Sequence, residues 1–252
     1  MAESFGTDAA RYDRARPRYP QALIDRIVSA SPGRKILDVG CGTGIVARQL
    51  QSAGCQVLGV EPDPRMAELA RQFGVDVEPG KIEDWDPAGR LFDAVVAGQA
   101  WHWVEPVAGA AKAARALRPG GLLAVFWNGF QPPEVITQAF AEAFDRAVPD
   151  APVKLSGLRS AQNSYSTMIS NAVEGIEAAG GFGDSEQWRF EWQQVYTREE
   201  WLDQLPTVGC LTWARPEQVA EVLAAVGAAL DGIGGDITVD YTTLASVTPR
   251  AA

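Results

Sequence analysis

Short apolar runs alternate along the first half of the chain with stretches in which hydrophobic residues recur every three or four positions. The short runs read as strands: Lys35–Val39, Gln56–Val60, Val75–Glu78, Phe92–Ala97 and Leu122–Trp127. The last is nearly continuous in apolar residues, as suits a parallel strand covered on both faces. Helical spacing predicts helices over Thr43–Ala53, over Pro64–Phe73 up to Gly74, and over Val104–Leu117 up to Arg118-Pro119-Gly120-Gly121. Pro20 opens an earlier helix whose apolar face is Leu23, Ile24, Ile27 and Val28, ended by Ser31-Pro32-Gly33. Strand and helix in regular alternation imply an α/β fold with an open, doubly wound, mostly parallel sheet and helices on both faces.

After Gly129 the rhythm breaks. Glu134–Ala147 still reads as a helix, but a polar stretch rich in Ser, Gly and Asn follows, and residues 130–185 are expected to form an insertion over the mouth of the sheet, a lid. Strict alternation returns at Trp188–Trp192 as a half-buried strand. Pro216 starts a helix with Val219, Val222, Leu223 and Val226 on one face, stopped by Gly232, and Ile237–Leu244 completes seven strands. The expected organisation is a single domain. Residues 1–33 form an N-terminal cap, 34–129 the binding core, 130–185 the insertion and 186–252 the C-terminal completion of the sheet.

Composition narrows the partners. A net charge of −10 over 252 residues argues against nucleic acid. Basic residues are scattered except for Arg11, Arg14, Arg16 and Arg18, which are interleaved with Tyr12, Pro17 and Tyr19. No apolar run approaches a membrane span. The first twenty residues carry charges throughout, unlike a signal peptide. Cys41, Cys55 and Cys210 are odd in number and lack metal-ligand spacing, so a reducing cytoplasmic setting and no bound metal are expected. Abundant alanine and arginine suggest a bacterial source. Monomer and homodimer both stay open.

The chemistry concentrates in Asp38-Val39-Gly40-Cys41-Gly42-Thr43-Gly44, between the first strand and the amphipathic Ile45–Leu50. A buried strand, a tight turn and a helix start let a ligand reach backbone N–H groups. A Cβ on Gly40, Gly42 or Gly44 would hold it away. A dinucleotide fingerprint would need glycine where Ile45 stands, which disfavours a nicotinamide oxidoreductase, and the phosphate-loop pattern also fails. Glu61 ends the second strand, before Pro62, where a carboxylate can accept two hydroxyl hydrogen bonds.

The D-x-G-x-G-x-G loop followed by that acidic strand end resembles motif I of the class I S-adenosylmethionine-dependent methyltransferases, whose fold is Rossmann-like. Two further segments narrow the likeness. Tyr12-Asp13-Arg14-Ala15-Arg16-Pro17-Arg18-Tyr19-Pro20 resembles a Y-x-x-x-R-P-x-Y-P segment of small-molecule methyltransferases. Gln99-Ala100-Trp101-His102-Trp103 resembles a Q-A-x-H-W motif of trans-aconitate methyltransferase-like proteins. The resemblance covers about residues 5–128 and continues weakly at Tyr196–Leu202 and the last strand.

It implies direct methyl transfer from S-adenosylmethionine, leaving S-adenosylhomocysteine, to an oxygen or nitrogen of a small-molecule acceptor, including a carboxylate. The cofactor would be held by Tyr12, Arg16, Tyr19, Asp38, Gly40, Cys41, Gly42, Gly44, Glu61, Pro62, Gln99 and Ala100. The family's G-D-A-E after strand three is here Gly80-Lys81-Ile82-Glu83, so adenine recognition shifts to Ile82 and to Glu83 or Asp84, with Trp85 as a packing candidate. His102, the lone histidine, is the candidate catalytic residue, as a base or as a group that orients the nucleophile. Trp101, Trp103, Trp127 and Asn128 are candidate acceptor contacts, with Phe130, Tyr165 and Trp213 behind them. A protein that binds the cofactor without catalysis is the alternative. Base methylation is disfavoured, because no Asn/Asp-Pro-Pro-Tyr-type motif follows strand four.

Overall fold

The computed structural model describes residues 6–152, 154–157 and 162–251. Seven strands form one sheet in the order β3-β2-β1-β4-β5-β7-β6. They are β1 (Lys35–Val39), β2 (Gln56–Glu61), β3 (Asp76–Pro79), β4 (Phe92–Gly98), β5 (Leu117–Gln131), β6 (Glu186–Tyr196) and β7 (Ile237–Pro249). The first five pair in parallel, whereas β7 runs antiparallel to both β5 and β6. From β1 the chain builds outward to β3 and then crosses back to place β4 on the other side of β1. Reversal of direction there opens a crevice at the C-terminal ends of β1 and β4, the usual ligand position in such sheets.

The strand period of two divides the buried residues into two cores. Ile36, Val96, Ala124 and Phe126 face α2 (Gln21–Ala30) and α3 (Ile45–Ser52). Their neighbours Leu37, Val95, Val125 and Trp127 face α5 (Pro106–Ala116) and α7 (Gln162–Ala179). Burying each large aliphatic side chain contributes roughly 1.5–3 kcal/mol. Strand five runs past both of its expected ends, because Leu117 pairs with Phe92 of β4 at its start and Leu122–Gln131 has β7 as a ladder partner to its end. The sequence marks only the stretch covered on both faces.

The expected insertion divides differently in the structure. Its first helix, α6 (Glu134–Ala147), packs on α9 (Pro216–Asp231) and joins a third core with Trp201, Leu211, Val226, Val239 and Tyr241. Its second helix, α7, lies on the sheet beside α5, burying Ile169, Ala172 and Ile176. Close approach is possible because a Cβ on Gly175 would stand only 2.3 Å from the Pro106 side chain. The C-terminal segment completes the sheet with β6 and β7 as expected, and between them it carries α8 (Arg198–Gln204) ahead of the expected α9. A Thr197–Glu200 capping box starts α8 and aims Trp201 into the third core. The helical layer over the mouth is thus assembled from two separated stretches. Residues 1–5 of the expected cap, 153 and 158–161 within the expected insertion, and residue 252 lie outside the described residues.

Candidate functional site

The C-terminal ends of β1, β2 and β4 open into a cavity of about 430 Å³. Gly40 and Gly42 line it, at φ +63° and +55°, and Gly44 follows at +83°. All three lie in the left-handed region that glycine alone adopts cheaply. Space demands glycine as well at Gly40, where a Cβ would lie 2.6 Å from that of Ala100. The loop is pinned from below, as Gly40 N donates to Val60 O at 2.8 Å and Gly42 N to Glu61 Oε2 at 2.8 Å.

Two acidic side chains meet here. Glu61 is buried and accepts from the backbone of Gly42 and of Asp63, leaving lone pairs on both oxygens. Burial raises its pKa, with the two amides opposing. Asp38 is 1% exposed, and neither of its oxygens completes a hydrogen bond. Burial first, and then the Glu61 charge, push it up to about 8, offset in part by the Ala47 amide. A buried carboxylate without a partner is costly. Asp38 also lines a smaller recess with Gly40, Gly42 and Cys41, where a cationic ligand group would supply the missing charge. Cys41 is buried, close beneath Gly59, where an added Cβ would meet its Sγ at 2.5 Å.

The N-terminal segment closes over this loop. Asp13 on α1 (Ala9–Ala15) is buried and accepts from Thr43 Oγ1 at 2.7 Å and from Arg48 Nη2 at 2.5 Å, tying α1 to the glycine loop and to α3. Tyr19 and Gln49 exchange hydrogen bonds of 3.1 and 2.8 Å, and the Tyr19 ring packs edge-on against Phe126. Tyr12 and Arg16 line the cavity, with the guanidinium 5.2 Å from the Tyr12 centroid. Arg16 donates to Thr207 O from Nη2, while its Nε is buried with no partner among the described residues.

At the far rim, Pro62, Ile82, Glu83, Lys81, Gln99 and Ala100 all line the cavity. One oxygen of Glu83 already accepts from Glu105 N at 2.8 Å. Gln99 holds φ +54°, an unusual conformation for a residue with a side chain, and its backbone bonds Phe126 O. Asp84 lies outside the cavity lining. Trp85 is core instead, donating to Glu78 Oε2 at 2.6 Å and packing near Phe92.

His102 sits in the turn between β4 and α5 and opens on the cavity beside the exposed Trp103. Trp127 Nε1 donates to His102 Nδ1 at 3.1 Å. Desolvation lowers the imidazole pKa to about 4, although the residue as a whole is exposed. Three of the expected acceptor contacts do not line this cavity, although Asn128 borders the smaller recess beside Asp38. Trp101 and Trp127 are 2% and 1% exposed, in the core under α5 and α7. Asn128 accepts from Thr243 Oγ1 and donates to Arg18 O, so its amide anchors the N-terminal segment. Trp213 packs on Phe144, away from the cavity.

The acceptor end is instead walled by Phe130, Tyr165, Met168, Val208 and Gly209, with Met66 at the opposite rim. Phe130 and Tyr165 were legible as aromatic candidates. Met66 had a signal in its place in the first turn of the helix that follows Glu61, and Met168 in its spacing of three from Tyr165 along one helix. Val208 and Gly209 had none. Two larger grooves, of about 750 and 770 Å³, carry charges that already pair with each other, as in Arg189–Glu191 and Arg14–Asp203.

Residues 37–125, from β1 through most of β5, match the sequence profile of the methyltransferase domain family. The chain is 38% identical over 130 residues to an uncharacterized methyltransferase of Mycobacterium tuberculosis, covering 51% of this chain and 53% of that one. It is 30% identical over 172 residues to the trans-aconitate 2-methyltransferase of Mycobacterium ulcerans, covering 66% and 64%. The chain spans about half to two thirds of the length of these curated relatives. Among solved structures, a candidate type II methyltransferase from Anaeromyxobacter dehalogenans shares the fold at TM-score 0.66 and 23% identity, covering 92% of this chain and 97% of that one.

Proposed function

We propose that this chain, which through residues 37–125 matches the methyltransferase domain family, is an S-adenosylmethionine-dependent methyltransferase acting on an oxygen or nitrogen of a small-molecule acceptor. The observation that carries the reading is Asp38, an acidic side chain buried without a side-chain partner at the edge of a glycine-lined recess. That recess suits a ligand with a cationic amino acid end. When bound, S-adenosylmethionine supplies an electrophilic methyl group on a positive sulfonium.

The residues present fit such a molecule. Asp38 would balance its ammonium, Arg16 its carboxylate through the buried Nε, and Glu61 its ribose hydroxyls through the lone pairs that Gly42 and Asp63 leave open. Gly40, Gly42, Gln99 and Ala100 would flank the amino acid end, and Pro62, Ile82 and Glu83 the base. Lys81 stands at the rim where the family's aspartate is expected. Transfer of this kind depends mainly on alignment and on exclusion of water. Phe130, Met168 and Val208 supply apolar wall to the same cavity, and Tyr12 and Arg16 cover it.

The test is a screen of small carboxylic acids, phenols and amines with methyl-labelled S-adenosylmethionine. The likeness to a trans-aconitate 2-methyltransferase makes trans-aconitate one member of the panel. Label transferred to at least one acceptor, and lost in Glu61→Ala, is the expected result. Tight cofactor binding with no transfer to any class would favour a non-catalytic cofactor-binding protein.

A further inference from the structure

The Trp127–His102 contact has a chemical consequence for the acceptor end. An indole N–H is a donor only, so the Nδ1 that faces it must present its lone pair. A neutral imidazole carries one proton, which is then on Nε2. Trp127 is itself fixed, being 1% exposed on β5 in the core under α5 and α7, so the tautomer is set by the sheet rather than by solvent. His102 lines the cavity, and its Nε2 has no hydrogen-bond partner among the described residues. The edge left for a ligand is therefore an N–H.

We infer that His102 serves the acceptor site as a hydrogen-bond donor, with its Nε2–H held toward the ligand by Trp127, and that it recognises an oxygen lone pair rather than removing a proton. This rests on the methyltransferase reading for the identity of the site, while the tautomer itself does not depend on it. A base at this position would need its lone pair on the cavity side. The lowered imidazole pKa agrees, since the ring stays neutral and keeps the single proton that Nε2 carries. The acceptor class that fits presents an oxygen to Nε2–H and reaches the site with its nucleophile already unprotonated there.

His102 is the only histidine, so the imidazole nitrogen spectrum of the ¹⁵N-labelled full chain reports on this one ring. We expect a bare Nδ1 and a protonated Nε2 from pH 6.5 to 9. Trp127→Phe, which keeps an aromatic ring in the core but removes the donor, should give a mixture of tautomers. A merely structural role for Trp127 would leave the tautomer unchanged. Benzoate, as the oxygen lone-pair probe, should move the Nε2 signal saturably and leave Nδ1 bare, whereas benzylammonium should move neither. A protonated Nδ1, an imidazolium above pH 6.5, an unchanged tautomer in Trp127→Phe, or an Nε2 that answers benzylammonium or neither probe would overturn the inference. Absence of S-adenosylmethionine binding would defeat the methyltransferase reading while leaving the tautomer measurement to stand.

Discussion

Asp38 shows how a single residue can set the behaviour of the whole site. Its folded pKa of about 8 lies far above the usual carboxylate range, so the folded chain holds a proton that the unfolded chain releases. Stability from this source is full at low pH and declines as pH rises from about 4 to about 8, by at most about 1.4 kcal/mol per pH unit. His102 acts in the opposite sense, because its lowered pKa makes stability rise with pH until about 6.5, the ordinary value. Between pH 6.5 and 8 the Asp38 slope should dominate. The ligand-free protein should show a falling thermal midpoint across that window, and Asp38→Asn should flatten it. A flat wild-type profile, or an equal slope in the variant, would contradict the account.

Some residue-scale features were legible in sequence and some were not. Gly40, Gly42 and Glu61 stand out because their spacing follows directly from a strand, a turn and the next strand. The Trp127–His102 hydrogen bond joins residues 25 apart on different elements, and no local pattern marks it. Asn128 and Trp127 carried no sign of which sheet face they occupy, which depends on register. The register that pairs Asn128 with Thr243 turns its amide toward the N-terminal segment.

Among the elements, α7 was the hardest to read. Its Ser- and Asn-rich first half has weak helical preference, yet packing on α5 overrides it. Ile169, Ala172 and Ile176 lie at helical spacing within that polar background and are buried against Trp127 and Leu123. Gly175 is the contact point. Gly175→Ala would drive a Cβ into Pro106, whose backbone carbon is also only 3.0 Å from the added atom, so the helices must separate. Overpacking of this kind costs typically about 1–3 kcal/mol. Urea denaturation should show a lower midpoint at unchanged slope; an unaltered midpoint would mean that α7 is held elsewhere. The helix after Pro216 was legible to its end because proline and glycine punctuate it and its apolar stripe is clean.

At the scale of the molecule, the parallel half of the sheet was readable from the alternation of strand and helix, and the arrangement above its mouth was not. The helical layer there draws α6 from one insertion and α8–α9 from another, sharing a core of Phe144, Trp201, Val222 and Tyr241. Sequence order separates these pieces, and only the antiparallel β6–β7 ribbon brings them together. The cleft at the strand switch is covered by the N-terminal segment through Tyr12 and Arg16, by α7 through Tyr165 and Met168, and by Val208 and Gly209 in the turn after α8. Arg16 bridges the first and last of these by donating to Thr207 O in the turn after α8. The cleft therefore has a rigid floor of β1, β2 and β4 and a cover made from three parts of the chain. No helix among the described residues is long and apolar enough to cross a membrane.

Calorimetric titration of the ligand-stripped chain with S-adenosylmethionine, S-adenosylhomocysteine and NAD tests the central claim most directly. The account predicts micromolar binding of the first two and none of NAD. Glu61→Ala should weaken both by at least tenfold, about 1.4 kcal/mol. Failure of both sulfur ligands to bind, or binding of NAD alone, would contradict the assignment of the cleft.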